Sequence, residues 1–173
     1  MLLKRLLNIL NGNQILIRQA TRNDLDGIVN VFESVMAEEI YLLGEHFYAI
    51  DYINTKISGE NDLILIAEDN GKIIGVLTLI REPFLKNRHV AVLGIAIIDG
   101  YRHKGIGSAM MDESIRWAES AGIEKITLEV FSTNINAIEM YKKFGFEIEG
   151  IRKRQFKIQG QYVDDVLMAK FLY

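Results

Sequence analysis

Arg102-His103-Lys104-Gly105-Ile106-Gly107 is the stretch whose residue types most plainly suggest chemistry. Two basic side chains and a histidine precede two glycines spaced by one residue, and an apolar periodic segment follows. The pattern predicts a tight basic loop that opens a helix. The first N–H groups of a helix have no internal partner, and the helix dipole adds partial positive charge there. Glycine lets a ligand approach the main chain, because no Cβ stands in the way. Arg102 and Lys104 add full charges. Together these features predict an anion cradle for a phosphate or pyrophosphate.

Two common phosphate motifs fail on named residues. A Walker loop needs Lys and Ser/Thr after its second glycine. Gly100 and Gly105 have the required spacing, but Ile106 and Gly107 follow. A dinucleotide fingerprint needs a third small residue where Met110 stands.

A second constellation lies downstream. Asn134, Ala137, Tyr141, Gly145 and Phe146 fall in the order N-x-x-A-x-x-x-Y-x-x-x-G-F. With R-x-x-G-x-G after the apolar run Val90–Ile98, this block resembles the GNAT superfamily of N-acetyltransferases, from roughly Ile15 to the C-terminus. The resemblance implies an α/β fold. Its mixed, mostly antiparallel sheet of about seven strands has helices on both faces, and its central strands splay to admit acetyl-CoA. It also implies that Ile95, Ile97 and Ile98 offer main-chain contacts to the pantetheine arm. Arg102, His103, Lys104, Gly105, Ile106, Gly107 and Ser108 would hold the pyrophosphate, and Asn134 and Asn136 would meet the cofactor nearby. Two departures from the family pattern stand out. Gly100 occupies a position where many relatives have proline, and His103 one where many have glycine.

Tyr141 is the candidate catalytic residue. Taken alone it reads as a buried aromatic whose hydroxyl finds any polar partner. By the resemblance it protonates the departing CoA thiolate. A main-chain N–H near Ile95 or Ile97 would stabilise the charge that develops on the carbonyl oxygen. Glu38, Glu39, Glu45 and Glu129 are candidates for the base, and spacing does not choose among them. The implied reaction is transfer of an acetyl group from acetyl-CoA to a primary amine (a small amine, polyamine, amino acid or protein N-terminus) by direct attack in a ternary complex. The alternative is a catalytically weak acyl-CoA-binding sensor or interaction module.

The elements that must position these residues can be read from periodicity. Residues 1–14 form an amphipathic arm, with Leu3, Leu6, Leu7 and Leu10 at helical spacing, that packs on the domain or on a partner subunit. A single domain spans 15–173. Ile15 to Gln19 alternates as a strand, and Thr21 or Asn23 caps a helix whose apolar face carries Leu25, Ile28, Val29 and Phe32. A second helix is expected over about 45–58. Asp69-Asn70-Gly71 joins two apolar runs as a hairpin. The helix after the glycine loop turns Ile106, Met110, Trp117 and Ala121 inward and ends at Gly122. A strand runs from Glu124 to Phe131. Asn134 opens a helix that Gly145 stops, and two strands around Gln159-Gly160 close the chain.

Composition sets the outer bounds. The chain has 173 residues, nearly half of them apolar, which suits one domain with a proper core. A net charge of −3 argues against broad nonspecific nucleic-acid binding. There is no cysteine, which excludes a cysteine acyl-enzyme. His46, His89 and His103 show no metal-ligand spacing, so no metal is expected. The apolar run at the N-terminus is far short of the roughly 20 residues a membrane helix needs. A cytoplasmic protein, plausibly a homodimer, is the expectation.

Overall fold

The strands follow from runs of apolar and β-branched residues bounded by turn signals. A computed structural model describes residues 4–8, 14–41, 50–57, 59 and 61–173. In it β1 (Lys4–Asn8), β2 (Gln14–Gln19), β3 (Leu63–Asp69), β4 (Lys72–Arg81) and β5 (Val90–Ile97) pair in succession, all antiparallel. The β3–β4 turn places Asn70 at φ 48° and Gly71 at φ 83°, the two positive angles that a two-residue hairpin of this hand requires. The sheet continues through β6 (Lys125–Phe131), β7 (Glu147–Ile158) and β8 (Gln161–Phe171). Its order is β1-β2-β3-β4-β5-β6-β8-β7.

The sheet has eight strands where about seven were expected, and the extra one comes from the N-terminal arm. The leucine spacing there suggested a helical stripe, but Lys4–Asn8 is a strand on the sheet edge. A short apolar run satisfies either period, and pairing with β2 gives its backbone partners that an isolated turn of helix lacks. Leu7 packs on the core while Leu6 faces out. Arg5 reaches Glu113 at 3.2 Å.

Helices cover both faces. On one, α1 (Leu25–Met36) buries Ile28, Val31, Phe32 and Val35, an i, i+3, i+4, i+7 stripe, against Ile64, Ile66, Val76 and Ala96. Val31 and Val35 carry more of this face than Leu25 and Val29, which are only half-buried. Ile53 of α2 (Ile50–Ile57) joins the same cluster. The expected start of that helix, with Glu45 and His46, lies outside the described residues. On the other face, α3 (Ile106–Ser120) and α4 (Ile135–Lys143) cover Leu77, Leu79, Leu93, Ile126 and Leu128. Ile106 and Met110 are fully buried there, and Trp117 packs at the margin of the core.

Before α1, Thr21 donates both its N–H (2.7 Å) and its hydroxyl (2.8 Å) to Asp24. Arg18 forks onto the same carboxylate at 2.8 Å and 2.8 Å and reaches Glu68 at 2.9 Å. The guanidinium holds the Asp24 carboxyl down to about 2. This network ties the first strand of the domain to the entry of its first helix. Among the described residues, no helix is long and apolar enough to cross a membrane.

Candidate active site

One pair of neighbours in the sheet is parallel, β5 with β6, and it is paired only from Val90 to Val92. β5 runs on to Ile97 and β6 to Phe131, so beyond that seam the two strands diverge. β5 stays in register with β4 along its whole length. The carbonyl of Val90 and the N–H of Ile98 both bond toward β4, to Glu82 and Ile74. Strand alternation then turns the polar groups of Leu93, Ile95 and Ile97 toward the gap. A cleft of about 1040 Å³ occupies this gap, with Ile95, Ile97, Glu129 and Tyr141 on its wall.

Ile98 is placed differently from expectation. Its N–H is committed to Ile74 at 3.1 Å, across the sheet from the gap. It packs between the two apolar clusters and does not line the cleft. A side chain one position further along a strand points its backbone groups the opposite way, so Ile95 and Ile97 face the cleft and Ile98 does not.

The glycine loop stands at one end. Gly105 precedes α3 at φ 80°, a left-handed conformation that glycine adopts without cost. The first intrahelical bond runs from Ala109 to the Gly105 carbonyl. The N–H groups of Ile106, Gly107 and Ser108 therefore open the helix with no intrahelical partner. Gly107 borders the space: a Cβ there would stand 3.4 Å from Ile97 Cδ1 and 3.4 Å from Met140 Sδ, in ordinary van der Waals contact. His103 adopts φ 59°, which explains why glycine suits this position and why histidine, one of the side chains that tolerate the left-handed region, replaces it. His103, Gly105, Gly107 and Ser108 line the cleft. Ile106 contributes its main chain only, since its side chain is in the core. The Tyr101 hydroxyl anchors the loop by donating to Asp69 at 2.8 Å.

The two basic side chains do not serve the cradle as the sequence suggested. Lys104 lies off the cleft wall, with Nζ 5.2 Å from the centre of the Tyr101 ring. Arg102 lines the cleft but turns its guanidinium away from the loop. Nη1 and Nη2 fork onto Glu38 at 2.8 Å and 2.5 Å, and Nε donates to the Ile97 carbonyl at 2.7 Å. The side chain also stacks on Tyr41, 4.5 Å from the ring centre. A guanidinium already satisfied by a carboxylate fork is a poor ligand for a second anion. The positive character of this end of the cleft therefore rests on main-chain N–H groups and the helix dipole.

On the far wall, Asn134 caps α4, its Oδ1 accepting from the Ala137 N–H at 3.3 Å. Asn134 and Asn136 both line the cleft. Tyr141 is buried in the core cluster, 5.8 Å from the Phe146 ring, and also borders the cleft. Among the described residues no group bonds its hydroxyl. Burial pushes that hydroxyl well above the ordinary phenol value of 10, so it holds its proton throughout the neutral range.

Of the four carboxylates considered as a base, the structure brings Glu129 to the cleft. Glu38 is taken up by Arg102, Glu39 is exposed and off the wall, and Glu45 is outside the described residues. Glu129 is held by Arg152 at 2.8 Å, and the same Nη1 reaches the fully buried Asp165 at 2.8 Å. Arg152 is thus more than a solvated strand edge. The cleft extends past the sheet to Phe32, Val35, Tyr52, Thr78, Ile80 and Glu82. In sequence Phe32 and Val35 carry only the signal of a helix core face, so their place on the cleft wall could not be read from them.

A split parallel pair, a helix N-terminus at one end of the gap and a proton-bearing tyrosine on its wall meet in one cleft. Comparison with known proteins identifies the family. Residues 28–146 match the model of the acetyltransferase (GNAT) family, and the chain belongs to that family. It is 37% identical over 107 residues to the L-amino acid N-acetyltransferase AaaT of Escherichia coli K12, covering 61% of this chain and 66% of that protein. The chain thus spans just under two thirds of the length of AaaT. An N-alpha-acetyltransferase of Sulfolobus acidocaldarius is 26% identical, with 86% of this chain and 85% of that protein covered. The crystal structure of a GNAT-family acetyltransferase from Streptococcus pneumoniae superposes with a TM-score of 0.82 at 30% identity, covering 92% of this chain and 99% of that one.

Proposed function

We propose that this protein transfers the acetyl group of acetyl-CoA to a primary amine by direct attack in a ternary complex. The observation that carries the reading is the cleft between β5 and β6, open from the helix N-terminus at Gly105–Ser108 to the buried hydroxyl of Tyr141. Its residues fit the donor. The unpartnered N–H groups of α3 suit a pyrophosphate, and the outward backbone groups of Ile95 and Ile97 suit an amide-bearing arm laid alongside as a strand. Gly107 leaves the space that any side chain would fill. Bound there, acetyl-CoA supplies an activated carbonyl with a thiolate leaving group.

The chain's own groups do the rest. Glu129, acting directly or through water, takes the proton that the acceptor amine must lose before it attacks. A main-chain N–H of Ile95 or Ile97 donates to the carbonyl oxygen as negative charge develops on it. Tyr141 gives its proton to the departing sulfur, and burial keeps that proton available. Both carboxylate and phenol border the same cleft, so base and acid act from the wall opposite β5, Glu129 on β6 and Tyr141 on α4. One relative is named an L-amino acid N-acetyltransferase and another an N-alpha-acetyltransferase, which supports trying amines with an α-substituent among the acceptors.

The test is release of free CoA from acetyl-CoA across polyamines, amino acids, aminoglycosides and peptides with free N-termini. Turnover with one class establishes the reaction and the acceptor together. Tight acetyl-CoA binding with no turnover on any amine would replace this reading by that of an acyl-CoA sensor.

A further inference from the structure

Arg102 joins two parts of the molecule that are distant in sequence and belong to different halves of the cleft. On one side it is rooted in the loop before α3, with Nε on the Ile97 carbonyl at 2.7 Å. On the other it grips the segment that follows α1. The Glu38 fork, the Tyr41 hydroxyl at 3.1 Å and the Tyr41 ring all meet the one guanidinium. Tyr41 lines the same stretch of cleft as Phe32 and Val35 of α1. Side-chain exposure is low for the pair, 18% for Arg102 and 26% for Glu38, so solvent competes weakly for these bonds.

We propose that the half of the cleft lined by Phe32, Val35 and Tyr41 receives the acceptor, and that Arg102 is a positioning residue that fastens its wall at Glu38 and Tyr41 to the cofactor loop, so that filling the cradle also sets the acceptor chamber. The inference rests on the acetyltransferase reading given above. The physical reason is connectivity. A ligand on the N–H groups of Ile106, Gly107 and Ser108 fixes the backbone of the loop that carries Arg102. A fixed Arg102 holds a planar fork, which grips one carboxylate geometry and one ring face. Segment 38–41 is then held in a single placement, and the second substrate meets a wall already ordered. A merely structural ion pair would hold that wall equally well with the cradle empty or full. A direct phosphate ligand would show its effect on the cofactor alone.

The experiment is amide hydrogen exchange on the full chain with and without acetyl-CoA, together with calorimetric acetyl-CoA affinity, for the wild type, Glu38→Gln, Arg102→Gln and the milder Arg102→Lys. In the wild type, acetyl-CoA is expected to slow exchange both in the loop around Gly105 and in residues 37–41. In Glu38→Gln and Arg102→Gln the loop keeps its protection and 37–41 loses it, while acetyl-CoA affinity stays within about threefold of wild type and KM for the best amine of the panel rises roughly tenfold. Wild-type protein that binds acetyl-CoA without protecting 37–41 overturns the proposal, and needs no variant to do so. A loss of acetyl-CoA affinity beyond about tenfold in Arg102→Gln but not in Glu38→Gln overturns it too, and makes Arg102 a phosphate ligand. Folded wild-type protein that binds no acetyl-CoA refutes the acetyltransferase reading itself, and the coupling with it.

Discussion

Val92 and Thr127 are the last residues through which the two parallel strands meet. Everything that makes the cleft follows from their position. Before them the sheet is continuous. After them the outward backbone groups of β5 meet no strand among the described residues, and β6 carries Glu129 and leads to Asn134 on the opposing wall. Four expectations follow from residues near this division and from the network that braces the fold.

Tyr141→Phe removes one oxygen from a buried ring and leaves the packing against Phe146 in place. The expected result is a fall in kcat of about 10²–10⁴-fold, with acetyl-CoA affinity nearly unchanged. Because burial raises the phenol above its ordinary value of 10, wild-type kcat should show no alkaline loss from this group below that pH. Wild-type rates in Tyr141→Phe would remove it from the mechanism.

Gly107 and Gly105 should respond in opposite ways to alanine. Gly107 sits in the first turn of α3 and has no positive φ, so Gly107→Ala should fold with stability held or raised. Its new methyl, 3.4 Å from Ile97 and Met140, fills the cradle, and acetyl-CoA should bind at least about tenfold more weakly. Gly105→Ala meets open space but must hold φ 80°, at a cost of roughly 1–2 kcal/mol in stability. Thermal unfolding and calorimetry on the two variants separate strain from occlusion.

Glu129→Gln should lower turnover most where the acceptor amine is protonated. As pH rises the amine loses its proton unaided, so the gap between variant and wild type should narrow. A defect of about 10²-fold near neutrality is expected of a lost base. A defect that is equal at every pH would mean that Glu129 orients the acceptor and takes no proton.

The Arg18–Asp24 pair should give stability a signature in acid. Asp24 ionises near 2 in the folded chain against an ordinary 3.8, so the folded state favours the carboxylate. Its contribution, roughly 1–2 kcal/mol allowing for screening, is complete above about pH 5 and is lost as pH falls toward 2. Denaturant unfolding of wild type and Asp24→Asn should therefore differ at pH 7 and converge near pH 2. A difference that persists unchanged at pH 2 would show that the pair acts through shape and not through charge.

The glycine-loop end of the cleft was legible in sequence because its shape is set by main chain. A left-handed residue before a helix demands glycine, and close approach demands another, so Gly105 and Gly107 leave a trace in sequence. The asparagine cap and the stop at Gly145 do the same for α4. Arg102 misled because a guanidinium beside a glycine loop looks like a phosphate ligand, whereas its partner Glu38 lies 64 positions away. Ile98 misled because an unbroken apolar strand gives no phase, and one residue of phase decides which way an N–H points. The residues at the far end of the cleft left little trace of their own. Phe32 and Val35 serve the core and the cleft with the same side chains, and Lys4–Asn8 was too short for its period to be told.

The three-residue seam between β5 and β6 divides the sheet into a five-stranded and a three-stranded part. An arm of ligand laid along β5 in the split, as proposed above, would act as a missing structural member. Such a ligand stabilises the fold by mass action, about 2.7 kcal/mol at a hundredfold excess over Kd. The amount of intact protein would then follow the supply of its own donor, and scarcity of the donor would shorten the life of the protein as well as slow its turnover.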